Sequence, residues 1–257
     1  MEIPSRIKQQ SCRECLSGKS LGFEIRMAFQ PIIDWKLKDI VGHEALVRGP
    51  NGEGAGWVFA KINDTNKYYF DQACRVKAIE TASKLELDKV LSINFLPNAI
   101  YNPETCIRAT IEAADLFGFN IKQIMFEVTE GEQIVNREKL INIFDSYAKR
   151  GFITAIDDFG AGYADLSWLD DLKPQILKLD MSLIRDIDIF PKKQEHIQSI
   201  LEYCSTLKTT VLAEGIESRA ELDYLAGLGI NLFQGYYFAK PQLEYLVTLD
   251  DMKASMQ

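Results

Sequence analysis

Histidine and cysteine are scarce in this chain, and their scarcity excludes several kinds of site. The 257 residues include two histidines, His43 and His196, and five scattered cysteines, an odd number that indicates free thiols in a reducing compartment. A zinc site needs about four ligands, yet the one Cys-x-x-Cys pair, Cys12 and Cys15, has no second pair. That pair is either a redox or metal pair or two thiols in a flexible leader. Any other metal must be held by oxygen ligands, which favour Mg²⁺, Mn²⁺ or Ca²⁺.

Long hydrophobic runs and an excess of basic residues are also missing. No apolar run approaches the roughly 18 residues that a membrane span needs, and residues 1–10 are too polar for a secretory signal. The 29 basic and 37 acidic residues give a net charge of −8, which argues against a nucleic-acid partner. A small anionic substrate stays possible, because bound metal ions reverse the local sign. We therefore expect a globular protein that binds neither nucleic acid nor membrane.

Short apolar runs typical of strands alternate with segments of helical periodicity. The apolar runs are Phe23–Ile33, Ile40–Val47, Val90–Phe95, Ile124–Val128, Phe152–Ile156, Ile176–Leu179, Thr210–Ala213 and Leu232–Gln234. The helical segments are Tyr68–Leu85, Thr105–Phe117, Arg137–Lys149, Gln194–Leu207 and Arg219–Leu228. About eight strands in some 250 residues predict an α/β protein with a (β/α)8 TIM-like barrel, and a doubly wound open sheet is the alternative. Only Asp34–Asp39 joins the first two runs, which predicts a hairpin with one early antiparallel strand.

Helix ends carry their own signals. Ser218 followed by Glu221 predicts a capping box at the start of the last helical segment. Gly118, Gly151 and Gly229 lie just past three helix ends, where glycine is favoured. Neither Gly-x-Gly-x-x-Gly nor a Walker A sequence is present, which weakens a nucleotide-cofactor form of the open sheet.

Polar residues follow almost every apolar run. In a barrel the chemistry lies at the C-terminal ends of the strands, where this chain has Glu44, Arg48, Asn94, Glu127, Thr129, Glu130, Asp157, Asp158, Lys178, Asp180, Glu214, Glu217 and Gln234. Burying so many carboxylates without partners is costly, and a cation among them removes that cost. The pattern predicts two hard divalent ions with Asp157 or Asp158 bridging them, as in phosphoester hydrolysis.

Several of these residues have simpler explanations. Glu44 alone is compatible with a surface carboxylate, and Asp157 and Asp158 are compatible with capping the turn that follows. Lys178 is compatible with an edge residue whose ammonium group reaches solvent. A nuclease also fits a two-metal site, but the acidic net charge disfavours it.

Eight motifs of this chain, in the same order, resemble those of the EAL-domain cyclic-di-GMP phosphodiesterases. They are FQPI at Phe29–Ile32, EALVRG at Glu44–Gly49, Asn94, EVTE at Glu127–Glu130, DDFGAGY at Asp157–Tyr163, LKLD at Leu177–Asp180, AEGIE at Ala213–Glu217 and QGYYFAKP at Gln234–Pro241. The resemblance runs from about Phe23 to Leu243. We therefore expect residues 1–22 to be a flexible polar leader and residues 23–257 to be the EAL phosphodiesterase domain.

The resemblance implies a role for individual residues. The implied ligands of one metal are Glu44, Asn94, Glu127 and Asp157, and those of the second are Asp157, Asp158 and Glu214. The implied catalytic residues are Lys178, Glu44, Asp157, Asp158 and Gln234. Lys178 would contact the attacking water, and Gln234 would orient metal-bound water. The implied substrate-binding residues are Gln30, Leu46, Arg48, Asp180 and Glu217. The implied residues that couple the loop after the fifth strand to dimer contacts are Glu130, Phe159, Gly160 and Gly162.

The resemblance implies hydrolysis of the bacterial second messenger cyclic di-GMP to the linear dinucleotide pGpG. It also implies two Mg²⁺ or Mn²⁺ ions per active site, inhibition by Ca²⁺, a homodimer and a cytoplasmic location. A regulatory partner or an upstream sensory domain is a further expectation. The alternatives are a receptor that binds cyclic di-GMP without cutting it and a protein-interaction module. Ala161, Ala164 and Asp165 depart from the usual family pattern, but they affect only a loop.

Overall fold

Nine strands make up the sheet of this protein. The computed structural model describes residues 21–100, 103–129, 136–161 and 166–255, without the side chains of 253–255. Most of the predicted leader, with Cys12 and Cys15, lies outside the described residues, as do Glu130 and residues 162–165. The strands are β1 (Arg26–Asp34), β2 (Asp39–Arg48), β3 (Val90–Asn94), β4 (Ile124–Thr129), β5 (Ile153–Phe159), β6 (Ile176–Leu179), β7 (Thr210–Ala213), β8 (Leu232–Phe233) and β9 (Gln242–Leu243).

Eight of these strands close into a barrel. Strands β2 to β8 pair in parallel in sequence order, and β1 closes the ring by pairing antiparallel with both β2 and β8. The short β9 adds to β1. The β1–β2 hairpin turns at Asp34, whose Oδ1 accepts the N–H groups of Lys36 and Leu37 at 2.9 Å each. The predicted TIM-like barrel with one early antiparallel strand is confirmed, and the open sheet is wrong.

Helices cover the outside of the barrel. They are α1 (Ala55–Phe59), α2 (Lys67–Lys84), α3 (Pro103–Phe117), α4 (Arg137–Lys149), α5 (Ser167–Leu172), α6 (Met181–Ile184), α7 (Pro191–Leu207), α8 (Arg219–Gly227) and α9 (Leu249–Ser255), with 3-10 turns at Pro97–Ala99 and Ile121–Gln123. The five helices predicted from periodicity are present, and the others are too short to show a period. None of the described helices is both long and apolar enough to cross a bilayer.

The predicted helix ends are confirmed. The Ser218 side chain accepts the Glu221 N–H, and the Glu221 side chain accepts the Ser218 N–H, which completes the capping box of α8. Gly118, Gly151 and Gly229 have φ of +70°, +89° and +94°, the left-handed backbone that a helix C-terminus favours.

An apolar layer fills the barrel below its C-terminal rim. Ile32, Met125, Ala155 and Leu212 pack together inside the barrel, fully buried. Because side chains two residues apart on a strand share a face, the residues that follow Met125, Ala155 and Leu212 by two also point inward. Those residues are Glu127, Asp157 and Glu214, so the apolar layer forms the floor beneath a layer of carboxylates.

A buried ion pair connects α2, α4 and the segment that follows β3. The Arg75 guanidinium in α2 lies 2.7 Å from Asp71 and donates to the Tyr147 hydroxyl of α4 at 3.1 Å. Asp71 also accepts the N–H of Leu96, just after β3, at 2.9 Å. The side chains of Asp71 and Arg75 have almost no exposed surface. Breaking such a pair leaves an uncompensated charge in the core.

We predict that Arg75→Met lowers the free energy of unfolding by about 3–5 kcal/mol, because Asp71 is left buried and unpaired. The double variant Asp71→Asn/Arg75→Met should regain part of this loss, because the stranded charge is gone. Arg219→Met, which removes an exposed pair with Asp223, is the control and should cost at most about 1 kcal/mol. Urea denaturation of the four proteins measures this, and an equal loss in the Arg75 and Arg219 variants would contradict the prediction.

Candidate active site

The C-terminal rim of the barrel gathers the predicted polar residues. Glu44 of β2, Glu127 of β4, Asp157 of β5 and Lys178 of β6 all point into the barrel, and Glu214 directly follows β7. Strand alternation explains this placement, because Glu44, Glu127, Asp157 and Lys178 all occupy inward positions of their strands. Glu127 and Lys178 have no exposed surface.

Lys178 lies at the centre of four carboxylates. Its Nζ is 2.6 Å from Glu214 Oε1, 2.9 Å from Asp157 Oδ1, 3.0 Å from Glu127 Oε2 and 3.5 Å from Glu44 Oε2. Its position in the barrel interior excludes the alternative of an edge lysine that reaches solvent. One ammonium group therefore faces four acids, and the cluster keeps an excess of negative charge.

The carboxylates form two groups that share one residue. The first carboxylate group is Glu44, Glu127 and Asp157, and the second carboxylate group is Asp157, Asp158 and Glu214. In each group, one oxygen from every member lies within 4.8 Å of the others. Asn94 of β3 lies beside the first group and donates to Glu44 Oε1 at 2.9 Å. The predicted ligand sets are therefore brought together as two adjacent clusters.

A bulge allows two consecutive aspartates to face the same cavity. Regular alternation would turn Asp157 inward and Asp158 outward, but the pairing of β5 with β6 shifts register between Ile156 and Phe159. Asp158 has φ of +55°, a left-handed backbone that is uncommon for a residue with a Cβ. Both aspartates consequently line the cavity, and the Asp158 N–H donates to Asp157 Oδ1 at 2.9 Å.

Burial and the excess negative charge raise the pKa values of several groups in the cluster. Burial, with the charges of Glu44 and Asp157, raises the pKa of Glu127 to about 8 in spite of Lys178. Burial and Asp157 raise the pKa of Asp158 to about 6, and they raise the pKa of Glu214 well above its usual value. Burial by itself would lower the pKa of Lys178, but the surrounding carboxylates raise it, so the ammonium stays charged.

Two glutamines connect the first carboxylate group to β1. Gln234 Nε2, just after β8, donates to Glu44 Oε2 at 2.8 Å and to Gln30 Oε1 at 3.1 Å. Gln30 in turn donates to the Ala239 carbonyl at 3.1 Å. Gln30 is opposite Glu44 in the β1–β2 register. Gln234 therefore contacts the first carboxylate group directly.

A cavity of about 560 Å³ opens above the carboxylates. The predicted site residues that line it are Gln30, Glu44, Leu46, Asn94, Asp157, Asp158, Asp180, Glu214, Glu217 and Gln234. Arg48 lies at the end of β2, where its guanidinium donates to the Val47 carbonyl at 2.8 Å, and it does not line the cavity among the described residues. Phe159 is buried in the core, and Gly160 is exposed with φ of +100°. Glu130 and Gly162 lie outside the described residues.

One wall of this cavity was not anticipated from the sequence. It is apolar and formed by α1, α2 and the strand ends near them, with Phe59, Phe70, Cys74, Ile93 and Leu96. Asp71, whose carboxylate holds the Leu96 N–H, lies in the same wall. The α2 residues lie on a helix whose pattern is typical of core packing, so no signal in the sequence marks them as cavity residues.

The donor set of the rim fits hard divalent cations. The acids are oxygen ligands of the kind that Mg²⁺ and Mn²⁺ prefer, and a cation would relieve the repulsion that raises their pKa values. Among the described residues, no hydrogen-bond donor reaches Glu127 Oε1 or Gln234 Oε1, although both atoms are buried. Buried acceptors without a donor are rare in proteins. The rim therefore has both the ligand types and the unused acceptor atoms of a cation site.

Comparisons with known proteins agree on one family. A model described as the EAL domain matches residues 13–241. The blue light- and temperature-regulated antirepressor BluF of Escherichia coli (strain K12) is 31% identical over 217 residues, 84% of this chain and 54% of that protein. The probable cyclic di-GMP phosphodiesterase PdeG of the same strain is 30% identical over 230 residues, 85% of this chain and 45% of that protein. The chain thus spans about half the length of these curated relatives.

Solved structures agree with the family match. A standalone versatile EAL protein from Vibrio cholerae O395, in its c-di-GMP-bound form, has a TM-score of 0.86 and 51% identity, covering 89% of this chain and 97% of that one. Klebsiella pneumoniae BlrP1, as a manganese/cy-diGMP complex at pH 9.0, has a TM-score of 0.81 and 35% identity, covering 86% of this chain and 56% of that one. From its sequence match and its barrel, the chain belongs to the EAL domain family.

Proposed function

We propose that this chain is a metal-dependent phosphodiesterase that hydrolyses one phosphodiester of cyclic di-GMP to the linear dinucleotide pGpG. The observation that carries the proposal is the pair of carboxylate groups that share Asp157 beneath one cavity, with Lys178 between them. Family membership supports it, as do relatives named cyclic di-GMP phosphodiesterases and the c-di-GMP and manganese in the structures of similar proteins.

Each carboxylate group provides the ligands for one divalent cation. Glu44, Glu127 and Asp157, with Asn94, would hold the first, and Asp157, Asp158 and Glu214 would hold the second. When bound, two divalent cations neutralise charge on phosphoryl oxygens and lower the pKa of a water molecule. Asn94 adds a neutral ligand, so the first site gains coordination without further negative charge.

Two side chains, Lys178 and Gln234, have roles of their own in addition to those of the cation ligands. The Lys178 ammonium stays charged among the acids, and in this proposal it would donate to the attacking water and to negative charge that develops at the phosphate. Gln234 holds Glu44 through a 2.8 Å hydrogen bond, which fixes the orientation of that carboxylate. Both side chains are fully buried, so little rearrangement is needed at the moment of reaction.

The cavity suits a small dinucleotide. Its volume of about 560 Å³ lies in the range of ligand pockets, roughly 300–1,000 Å³. Leu46, Gln30, Asp180 and Glu217 line it and would contact the substrate, with Arg48 at the rim as the partner for a phosphate. We further propose that the enzyme acts in the cytoplasm as a homodimer, coupled to its dimer contacts through the loop after β5.

A receptor that binds cyclic di-GMP without cutting it is the second candidate. The similarity to BluF, an antirepressor by name, favours a role without hydrolysis, and the c-di-GMP-bound form of the similar Vibrio cholerae protein favours binding. The receptor and the enzyme differ in the residues that they require. A receptor needs only the cavity, whereas hydrolysis needs both carboxylate groups and the lysine. This chain has the carboxylates and the lysine in contact with one another, which favours the enzyme.

Turnover of cyclic di-GMP is the direct test. We expect the purified protein to convert cyclic di-GMP to pGpG with Mg²⁺ or Mn²⁺, and we expect EDTA to abolish conversion. Chromatography of the products measures this, and calorimetry measures binding in parallel. Tight binding without product would establish the receptor instead, and neither binding nor product would leave a protein-interaction module.

Asp157→Asn should abolish hydrolysis and weaken both cation sites, because Asp157 belongs to both carboxylate groups. A calorimetric titration with Mn²⁺ should show lower affinity at each site, and product analysis should show no pGpG. The matched control is Asp223→Asn, which removes an exposed carboxylate that pairs with Arg219 at 2.7 Å. Full activity of the Asp157 variant would show that the two-cation assignment is wrong.

Lys178→Met should lower kcat by about 10²–10³-fold, the usual cost of removing a donor to developing negative charge. It should also make the fold depend on cations, because four acids lose their ammonium partner. The melting temperature of this variant should therefore fall in EDTA and rise more with Mn²⁺ than that of the wild type.

Lys89→Met is the control, because Lys89 pairs with Asp39 at the opposite end of the barrel and is partly exposed. It should leave both kcat and the Mn²⁺ response unchanged. A Lys178 variant with wild-type kcat would remove the lysine from the proposed machinery.

A further inference from the structure

A short helix lies beside the second carboxylate group, between the residues that follow β5 and those that follow β7. Helix α6 begins just after β6, and it packs against Gly160 on one side and Gly215 on the other. A Cβ at Gly160 would lie 2.4 Å from Leu183 Cδ1, and a Cβ at Gly215 would lie 2.4 Å from Met181 Cβ. Both glycines have positive φ, +100° and +65°. Helix α6 therefore contacts the backbone two residues after Asp158 and one residue after Glu214.

Arg185, at the end of α6, contacts the loop after β7 at two points and Glu221 of α8 at a third. Its Nη1 donates to Glu221 Oε1 at 2.8 Å, and its Nη2 lies 3.1 Å from Glu217 Oε1 and 3.3 Å from the Gly215 carbonyl oxygen. Gly215 is the residue after Glu214. A planar guanidinium with several fixed donors suits this kind of multiple contact, which an ammonium group cannot reproduce.

Glu221 of α8 connects the loop after β7 to the loop after α6. Its Oε2 accepts the N–H groups of Glu217 and Ser218, both at 3.0 Å, and its Oε1 accepts Arg185 and the Asp186 N–H at 3.3 Å. Burial opposes its charge, but the three backbone donors and Arg185 lower the pKa of Glu221 below its usual value. The carboxylate therefore stays charged and holds the loop after β7 to the loop after α6.

Helix α6 is itself held in place from outside. Lys193 of α7 donates from Nζ to the Ser182 carbonyl at 2.6 Å and to the Arg185 carbonyl at 2.7 Å. These are carbonyl groups that a helix of four residues cannot satisfy internally. The backbone that carries Arg185 is thus anchored independently of the carboxylates.

We propose that Arg185 is a positioning residue for Glu214, fixing the loop after β7 so that the second carboxylate group keeps its geometry. Lys178 attracts the Glu214 carboxylate at 2.6 Å, but Asp157 and Asp158 are like charges beside it. Glu214 also follows β7 instead of lying within the strand, so its backbone needs a restraint of its own. The ties through Gly215 and Glu221 oppose that repulsion. This inference rests on the proposed function, in which the second carboxylate group holds a cation.

The test is a titration of the cation-free chain with Mn²⁺ by calorimetry, in the absence of substrate, together with kcat and KM for cyclic di-GMP. We expect Arg185→Met to weaken one of two Mn²⁺ sites by about 10- to 100-fold, the usual cost of losing a partner that orients a ligand. The other site should be unchanged. We expect kcat to fall by a larger factor than KM rises, because, among the cavity residues, only Glu217 and Gly215 lose a contact with Arg185.

Two further variants keep the test decisive if Arg185→Met unfolds. Arg185→Lys should recover part of the Mn²⁺ affinity, because one ammonium group replaces one of three contacts. Glu221→Gln should keep the cap of α8, since Gln also completes a capping box, yet it should weaken the same Mn²⁺ site by removing the charge that Arg185 contacts.

Arg26→Met is the matched control. Arg26 forms a two-point pair with Glu244 at 3.0 and 2.7 Å and is exposed to a similar degree, but it joins β1 to the segment after β9. It should change neither Mn²⁺ site. Equal Mn²⁺ binding in the wild type, Arg185→Met and Arg26→Met would overturn this inference but would leave the proposed function standing. A wild type that binds Mn²⁺ without hydrolysis would overturn the proposed function, and the Mn²⁺ affinities would still decide the role of Arg185.

Discussion

The repulsion among buried carboxylates is the constraint on which the rest of this structure depends. Four acids surround one lysine at the rim of the barrel, and burial, together with the charges of Glu44 and Asp157, raises the pKa of Glu127 to about 8. Such a cluster survives folding only if the surrounding structure holds it together. The closed ring of strands does so, because the hydrogen bonds of each strand fix the next carboxylate in register, and the apolar floor of Ile32, Met125, Ala155 and Leu212 leaves the acids no room to move inward.

The structure brings unusual backbone to the same rim. Asp158 takes a left-handed conformation beside a bulge, which places two consecutive carboxylates on one side of β5. Gly160 and Gly215 let α6 approach closer than any side chain would allow. Strained or exceptional backbone that collects around one cavity is typical of functional sites. Here each exception has an identifiable result, because it moves a carboxylate toward its neighbours or brings a supporting helix against the loop that carries one.

Much of this could be predicted from the sequence, because local pattern determines it. The apolar runs gave the strands, the six residues of Asp34–Asp39 gave the antiparallel hairpin, and the position of Glu127 or Lys178 near a strand end gave its place at the rim. The supporting contacts could not be predicted. Arg75 bonds to Tyr147 and Arg185 to Glu221 across 72 and 36 positions of sequence, and no local pattern names such partners. Helix α6 has only four residues, too few for a period.

The two carboxylate groups differ in how they are held, and this difference bears on catalysis. Glu44, Glu127 and Asp157 lie within strands and are buried, so the barrel itself fixes the first group. The second group adds Asp158 at the bulge of β5 and Glu214 just past the end of β7, both partly exposed, so a bulge and a loop hold it in addition to the strands. Loops respond to partners and dimer contacts far more readily than barrel strands do. On the proposed function, a dinucleotide would still bind in the cavity with the second group misaligned, whereas hydrolysis that needs both cations would stop. If the proposed two-cation mechanism holds, the alignment of Asp158 and Glu214 is what would separate an enzyme from a receptor built on this barrel.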